Sequence, residues 1–276
     1  MPKLADFHIH PDYSIDAEGD IDSYCRKALS IGLNAICFTP HYDPNPRRVE
    51  ADGFWRYKGE RVRVLDRVIE SYISDVREAN SVYKDHGLEV YCGLEIDFFP
   101  GAEKEAEKIR SKFDFDFVIG SVHCLDDIAI SNSSEVESYF SRKTVNQMAD
   151  DYFELLLMAA SCTEFDCLGH LDYYTKFGRD FYGVDIDKIE IDRYDPVFDK
   201  LIESGVGIEI NTRRYRTEMN AFHPDKLIIE KAVRSGVRIA SVGSDSHNPR
   251  DLGKGLEEAY SYLESLSVKP ALLQSL

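Results

Sequence analysis

The feature that most constrains this chain is a recurrence: apolar, strand-like runs end abruptly in residues that bind metal ions. Asp-Phe-His-Ile-His (6–10) ends one run in two histidines, and Cys-Phe-Thr-Pro-His (37–41), Gly-Ser-Val-His (120–123) and Gly-His-Leu-Asp (169–172) each bring a histidine to such an end. Gly-Leu-Glu-Ile-Asp (93–97) does so with a carboxylate, and the run beginning at Arg238 closes in Gly-Ser-Asp-Ser-His (243–247). Side chains two apart on a strand share a face, so His8 and His10 can reach one ion, as can Asp245 and His247.

Strand-like stretches at 3–10, 35–40, 89–98, 116–123, 166–171, 206–211 and 238–244 alternate with helical patterns. Asp20 is a helix N-cap for 21–31, and Val62, Leu65, Ile69, Ile73, Val76, Ala79 and Tyr83 recur at spacings of three and four, predicting a helix over 59–85. Further helices are predicted over 101–112, 144–161, 193–204, from Pro224 to Gly236, and over 251–265. Two long connections, 42–57 and 172–188, read as loops, the second rich in aromatic residues, and long loops in compact domains are usually functional. Seven strand-then-helix units imply parallel strands, and only a closed barrel brings the C-terminal ends of the first and last together. With no visible linker, the whole of 1–276 reads as a single domain.

The formal charge of −17 opposes binding to duplex nucleic acid or to an anionic membrane, both of which require a basic surface. An anionic small substrate would instead need cations concentrated at the site, and bound metal ions supply them. Met1-Pro2-Lys3 runs straight into strand material without a signal segment, so the expected location is cytoplasmic. The six cysteines contain no Cys-x-x-Cys pair and read as small hydrophobic residues rather than a disulfide framework.

Of the eight histidines, only His86 and His223 fall outside the strand-end pattern. Glu95, between Leu94 and Ile96, faces inward, where an ionised carboxylate needs a cation or several donors. Nitrogen and oxygen ligands without thiolate suit zinc, manganese or iron in a catalytic site. The ligands exceed what one ion takes, so two or three divalent transition-metal ions are expected. Paired ions can clamp both oxygens of a displacement at phosphorus.

Those residues resemble the polymerase-and-histidinol-phosphatase superfamily of metal-dependent phosphoesterases, in its histidinol-phosphate phosphatase branch. The likeness runs through His8-x-His10, His41, Glu95, His123, His170 and Asp245-x-His247 in family order. It implies a distorted seven-stranded (β/α)7 TIM-like barrel. It also implies one ion held by His8, His10, Glu95 and Asp245, with Glu95 bridging to a second ion on His123 and His170. A third would take His41, His247 and a ligand from the loop after the first strand, where some relatives carry histidine and this chain has Asp16.

The resemblance implies hydrolysis of L-histidinol phosphate to L-histidinol and phosphate in histidine biosynthesis, by attack of an activated water in line with the leaving group. Asp245 and His247 are candidates for handling protons, while Arg213 and Arg214, just past the sixth strand, are candidates for binding phosphate through a guanidinium fork. Lys176, Arg179 and Arg47 are further cationic candidates. Asp172 shares a face with His170 and could meet a substrate amine; Asp97 could hold a histidine's other nitrogen; Asp12 and Asp43 are either partners of ligands or loop residues; Asp6 reads as structural. Two other functions fit the same ligands: phosphoester hydrolysis on nucleotides, oligonucleotides or other monoesters, and a non-catalytic metal-binding regulatory module.

Overall fold

The computed structural model describes residues 4–218 and 221–274. Among them, seven parallel strands lie side by side in chain order: β1 Ala5–Ile9, β2 Ala35–Phe38, β3 Glu89–Asp97, β4 Phe117–Ser121, β5 Cys167–Leu168, β6 Gly207–Asn211 and β7 Ile239–Gly243. Helices α1 Ile21–Ser30, α2 Asp66–Tyr83, α3 Ala102–Lys112, α4 Val145–Ala159, α5 Asp195–Ser204, α6 Lys226–Ser235 and α7 Leu256–Ser265 follow the strands in turn. Their starts are fixed locally: Asp20 accepts from the Ser23 amide at 2.8 Å, Thr144 and Gln147 form a capping box, and Asp225 caps α6. The result is the expected nearly closed (β/α)7 barrel.

The seam between β1 and β7 carries the closure. Ile9 bridges Ser246 in parallel, with the His10 amide donating to the Ser246 carbonyl at 2.8 Å. Deeper in the seam, where no backbone ladder joins the two strands, the buried Asp6 carboxylate accepts from the Ser244 amide at 2.8 Å and the Gly253 amide at 3.2 Å. Asp6 is therefore a seam residue. Its carboxyl is pushed up to about 6 by burial, against those hydrogen bonds.

A register shift between Asp6 and Ile9 re-aims β1. Ala5 and Phe7 pack with Ala35, Cys37, Phe117, Ile119, Cys167 and Ala240 in a cluster drawn from the strands, filling the lower barrel. Ile9, with the same parity in sequence, belongs instead to the large core shared with the helices. The shift thus frees His8 and His10 to point together into the upper barrel, and Asp6, with the parity of His8, is left at the seam.

Two stretches differ from the sequence expectation. Within 42–57, expected to be a loop, Phe54–Tyr57 pairs antiparallel with Glu60–Arg63 around Lys58 and Gly59, whose φ values of 53° and 83° match a tight hairpin turn. The hairpin consumes the beginning of the helix predicted over 59–85, which starts only at Asp66. Val62 and Leu65 fit a helical spacing, but the aromatic residues of Phe54–Tyr57 and the Lys58-Gly59 turn favour the hairpin that forms. Within 172–188, Thr175–Tyr182 is helical. Both stretches rise from the end of the barrel that carries the ligands and form its walls.

β7 approaches β1 so closely that a Cβ at Gly243 would lie 2.3 Å from the His8 Cβ and 2.9 Å from its backbone nitrogen. Gly243→Ala should therefore cost about 1–3 kcal/mol by forcing the seam apart, measured as a lower urea midpoint with an unchanged slope.

Candidate metal centre

Glu95 stands at the middle of the upper barrel, and its two oxygens face different neighbours. Oε2 lies 2.9 Å from His41 Nδ1, 3.4 Å from His8 Nε2 and 3.5 Å from His10 Nε2. Oε1 lies 3.2 Å from His170 Nε2 and 3.5 Å from His123 Nε2, and accepts from Ser121 Oγ at 2.6 Å. Asp245 Oδ1 comes within 3.5 Å of His10 Nε2 and 3.3 Å of His247 Nδ1. Asp16 Oδ2 lies 3.2 Å from His247 Nε2 and 3.7 Å from His41 Nε2. All nine residues expected from the sequence thus converge, from five strand ends, the loop after β1 and the segment after β2.

The donor set fits divalent ions. His8 Nε2, His10 Nε2 and Glu95 Oε2 are buried without a hydrogen-bond partner, and these three residues present ligand atoms within 4.8 Å of one another. Three buried lone-pair atoms aimed at one point are costly unless a cation sits between them. His41, Glu95 and His123 form a second such group, and His10, His41 and His247 a third.

The electrostatics keep the carboxylates ionised and divide the histidines. Burial alone would raise Glu95, but His8, His123 and His41 hold it well below the usual carboxylate range. Asp245 is likewise held down, against burial, by Arg213 and His8. Burial, then His247 and His41, push His10 well below its ordinary value, keeping its ring neutral. His8, His41 and His123 are instead raised, against burial, by Glu209, by Asp16 and by Glu95 respectively, so these rings carry the positive charge that a bound cation would replace, since ionised carboxylate and neutral imidazole are the ligating forms. Backbone strain marks the same place: His170 at φ 24° and Asp245 at φ 52° are non-glycine residues in the left-handed region, which costs about 1–3 kcal/mol each.

Sequence reasoning missed Glu209. Fully buried on β6, it holds His8 Nδ1 at 2.9 Å, leaving His8 Nε2 to face Glu95, and accepts from the His170 amide at 3.1 Å and Asn211 Nδ2 at 2.9 Å. The signal was present: Gly-Ile-Glu-Ile-Asn (207–211) repeats the pattern of Gly-Leu-Glu-Ile-Asp (93–97). Asp97 does the equivalent for His123, accepting from its amide at 2.9 Å and lying 3.5 Å from its Nδ1.

The cluster opens into a cleft of about 620 Å³ lined by Asp43, Phe54, Arg61, Tyr173, Lys176, Phe177 and Arg213 among others. Arg213 Nη1 donates to Asp245 Oδ1 and His247 Nδ1, both at 3.0 Å, at the rim of the ligand cluster. Its neighbour Arg214 departs from expectation. It turns away to bond Glu218 at 2.7 and 3.0 Å and does not line the cleft. Asp172 departs too: its oxygens receive His223 Nδ1 at 2.6 Å and the Asp225 amide at 2.9 Å, so it anchors the segment before α6 and offers no free oxygen to a substrate amine. Arg47 and Arg179 are tied to Asp127 and Asp187, outside the cleft. The six cysteines are free and buried, and no described helix is long and apolar enough to cross a membrane.

A family model described as the PHP domain matches residues 6–213. A probable histidinol-phosphatase of Deinococcus radiodurans is 33% identical over 258 residues, covering 92% of this chain and 90% of the relative. A histidinol-phosphatase of Lactococcus lactis is 26% identical over 90% of this chain and 85% of its own length. Among solved structures, histidinol phosphate phosphatase from L. lactis, complexed with zinc, L-histidinol and phosphate, superposes with a TM-score of 0.77 at 21% identity, covering 98% of this chain and 96% of that one.

Glu209→Gln should weaken metal binding by about 10- to 100-fold, because it loosens the orientation and basicity of His8. Competition against a chromophoric chelator measures the change, and circular dichroism should remain that of the parent protein.

Proposed function

The chain belongs to the PHP domain family, and from that premise we propose that it hydrolyses L-histidinol phosphate to L-histidinol and phosphate, the phosphatase step of histidine biosynthesis. The observation that carries the reading is the split Glu95 carboxylate, with Arg213 bonded to Asp245 in the same cleft. The named relatives support the choice of substrate. The buried free cysteines suit a reducing compartment such as the cytoplasm.

The first group, His8, His10, Glu95 and Asp245, would hold one ion; Glu95, His123 and His170 a second; and His41, His247 and Asp16 a third. Zinc, manganese or iron bound there supplies Lewis-acid charge that makes water acidic and neutralises phosphoryl oxygens. Arg213 positions the phosphate: its guanidinium is fixed by Asp245 and His247 and faces the cleft, so it meets equatorial oxygens without reorganising. Asp245 and His247, both joined to that arginine, hold its guanidinium and are assigned no proton. The cleft walls, with Tyr173, Phe177 and Phe54, exclude bulk water and give the imidazole ring an aromatic surface.

Removing metal with a strong chelator should abolish activity, and reconstitution should restore it with at least about two equivalents of metal per chain. The metal-loaded protein should prefer L-histidinol phosphate over nucleoside monophosphates by at least about tenfold in kcat/KM. Equal turnover of a nucleoside monophosphate would move the substrate assignment to nucleotides. Arg213→Ala should lower kcat/KM by about 30- to 1,000-fold, with partial rescue by lysine, which keeps charge without the fork. Arg214→Ala should stay near the parent value, because its side chain is already committed to Glu218.

A further inference from the structure

Of the cleft's cations Arg61, Lys176 and Arg213, only Lys176 is outside the ligand cluster and able to give up a proton. Lys176, on the short helix Thr175–Tyr182, donates from Nζ to the Ser131 carbonyl at 3.0 Å and to Tyr173 Oη at 2.9 Å. Its ammonium also lies over the rings of Tyr173 and Phe177, at 4.9 and 5.0 Å from their centroids. Tyr173 in turn stacks on His170, with centroids 4.0 Å apart, and meets His123 edge-on at 5.7 Å. A single aromatic ring therefore separates this ammonium from two candidate ligands. An ammonium has three N–H groups, and the contacts with Ser131 and Tyr173 fix the direction of the remaining one.

The chemistry of the cleft needs such a group. An alkyl phosphate expels a strongly basic alkoxide, and a proton delivered to the ester oxygen in the transition state lowers the barrier to that departure. The histidines at the cluster are candidate ligands, and Asp43 lies within ligand distance of Asp97 and His123. Asp52 is bonded by Arg48, and the guanidiniums of Arg61 and Arg213 do not dissociate. Burial raises the Tyr173 hydroxyl and the Cys124 thiol far from neutrality.

We propose that Lys176 is the general acid of the cleft, giving its third Nζ proton to the ester oxygen as the alcohol departs. The ester P–O bond breaks while the bond from water oxygen to phosphorus forms. The Nζ proton completes the alcohol, one proton of the water stays on the product phosphate, and the other returns through solvent to the neutral amine. The surroundings suit that cycle: burial and then Arg213 push the Lys176 ammonium down to about 8, while Asp245, Asp16 and Glu95 oppose the shift. At neutral pH the group is mostly protonated, yet it gives up its proton more readily than a solvated lysine. This inference rests on the phosphomonoesterase reading and not on the identity of the alcohol.

The test compares leaving groups in the metal-loaded enzyme. Lys176→Met should lower kcat on L-histidinol phosphate by about 10²- to 10⁴-fold. Its loss on 4-nitrophenyl phosphate, whose phenolate departs without a proton, should be at least about 30 times smaller. Lys176→Arg keeps the charge and should not rescue the alkyl substrate. In the parent enzyme, kcat on the alkyl ester should fall as pH rises through about 8, because the acid form is lost, and this limb should be absent with the aryl ester. Equal losses on both esters, together with weaker inhibition by inorganic phosphate, would make Lys176 a phosphate anchor and overturn the proposal; so would full activity of Lys176→Met on both. If L-histidinol phosphate proves a poor substrate, the substrate assignment falls, and the same comparison with glycerol phosphate still decides the role of Lys176.

Discussion

A carboxylate placed in the centre of a protein, ringed by imidazoles, is the interaction on which this structure depends. Glu95 is almost wholly buried, and five histidines approach its two oxygens. An ionised group in such a position is unfavourable without compensating charge, so the architecture around it has to deliver positive partners from several directions at once. Only a barrel does this with short connections. β1 and β7 must meet for His8, His10 and Asp245 to share a neighbourhood, and they meet because Gly243 offers no side chain and Asp6 bonds the amides the ladder leaves over. The seam therefore serves the centre, and His10 belongs to both, with its amide on Ser246 and its ring facing Glu95.

Eight of the nine candidate ligands were legible in the sequence because each is a polar residue at the end of an apolar run, where chain direction alone places it at one rim; Asp16, in the loop after β1, came only from the family resemblance. Strand parity also paired His8 with His10, although the physical reason includes a register shift that parity does not reveal. That shift explains why Asp6 ends in the seam. Other positions depended on partners far along the chain. Asp172 has the parity of a cleft residue, but its fate was set by His223 and Asp225, some fifty positions away. Arg213 and Arg214 are indistinguishable as sequence; Glu218 and Asp225 draw one away while Asp245 and His247 hold the other. The Phe54–Tyr57 hairpin was hidden because Val62 and Leu65, after its turn, fit a helical spacing.

The charge pattern reconciles a strongly acidic chain with an anionic substrate. The chain carries a net charge of −17, whereas the cleft gathers Arg61, Lys176 and Arg213 near a centre able to hold further cations. Long-range repulsion is screened within about 8–10 Å at physiological ionic strength, so the local cations govern what a phosphate meets once it enters.

The walls are held as firmly as the floor, which bears on how such a site reaches its precision. Arg48, on the segment after β2, donates to both oxygens of Glu135, at 2.8 and 3.0 Å, and to the Asp127 carbonyl at 2.7 Å, both on the segment after β4. Lys176 ties the segment after β5 to Ser131. Trp55 Nε1 donates to the His41 carbonyl, so the hairpin that forms one wall also fixes the backbone of a candidate ligand. Each long connection is thus bonded either to another wall or to the ligand cluster. Groups fixed in this way need no ordering when substrate arrives, and the entropy of assembling the cleft is met during folding rather than during turnover. The outer contacts of the loops thus bear on the precision of the cleft as well, because they set where Lys176 stands in its wall.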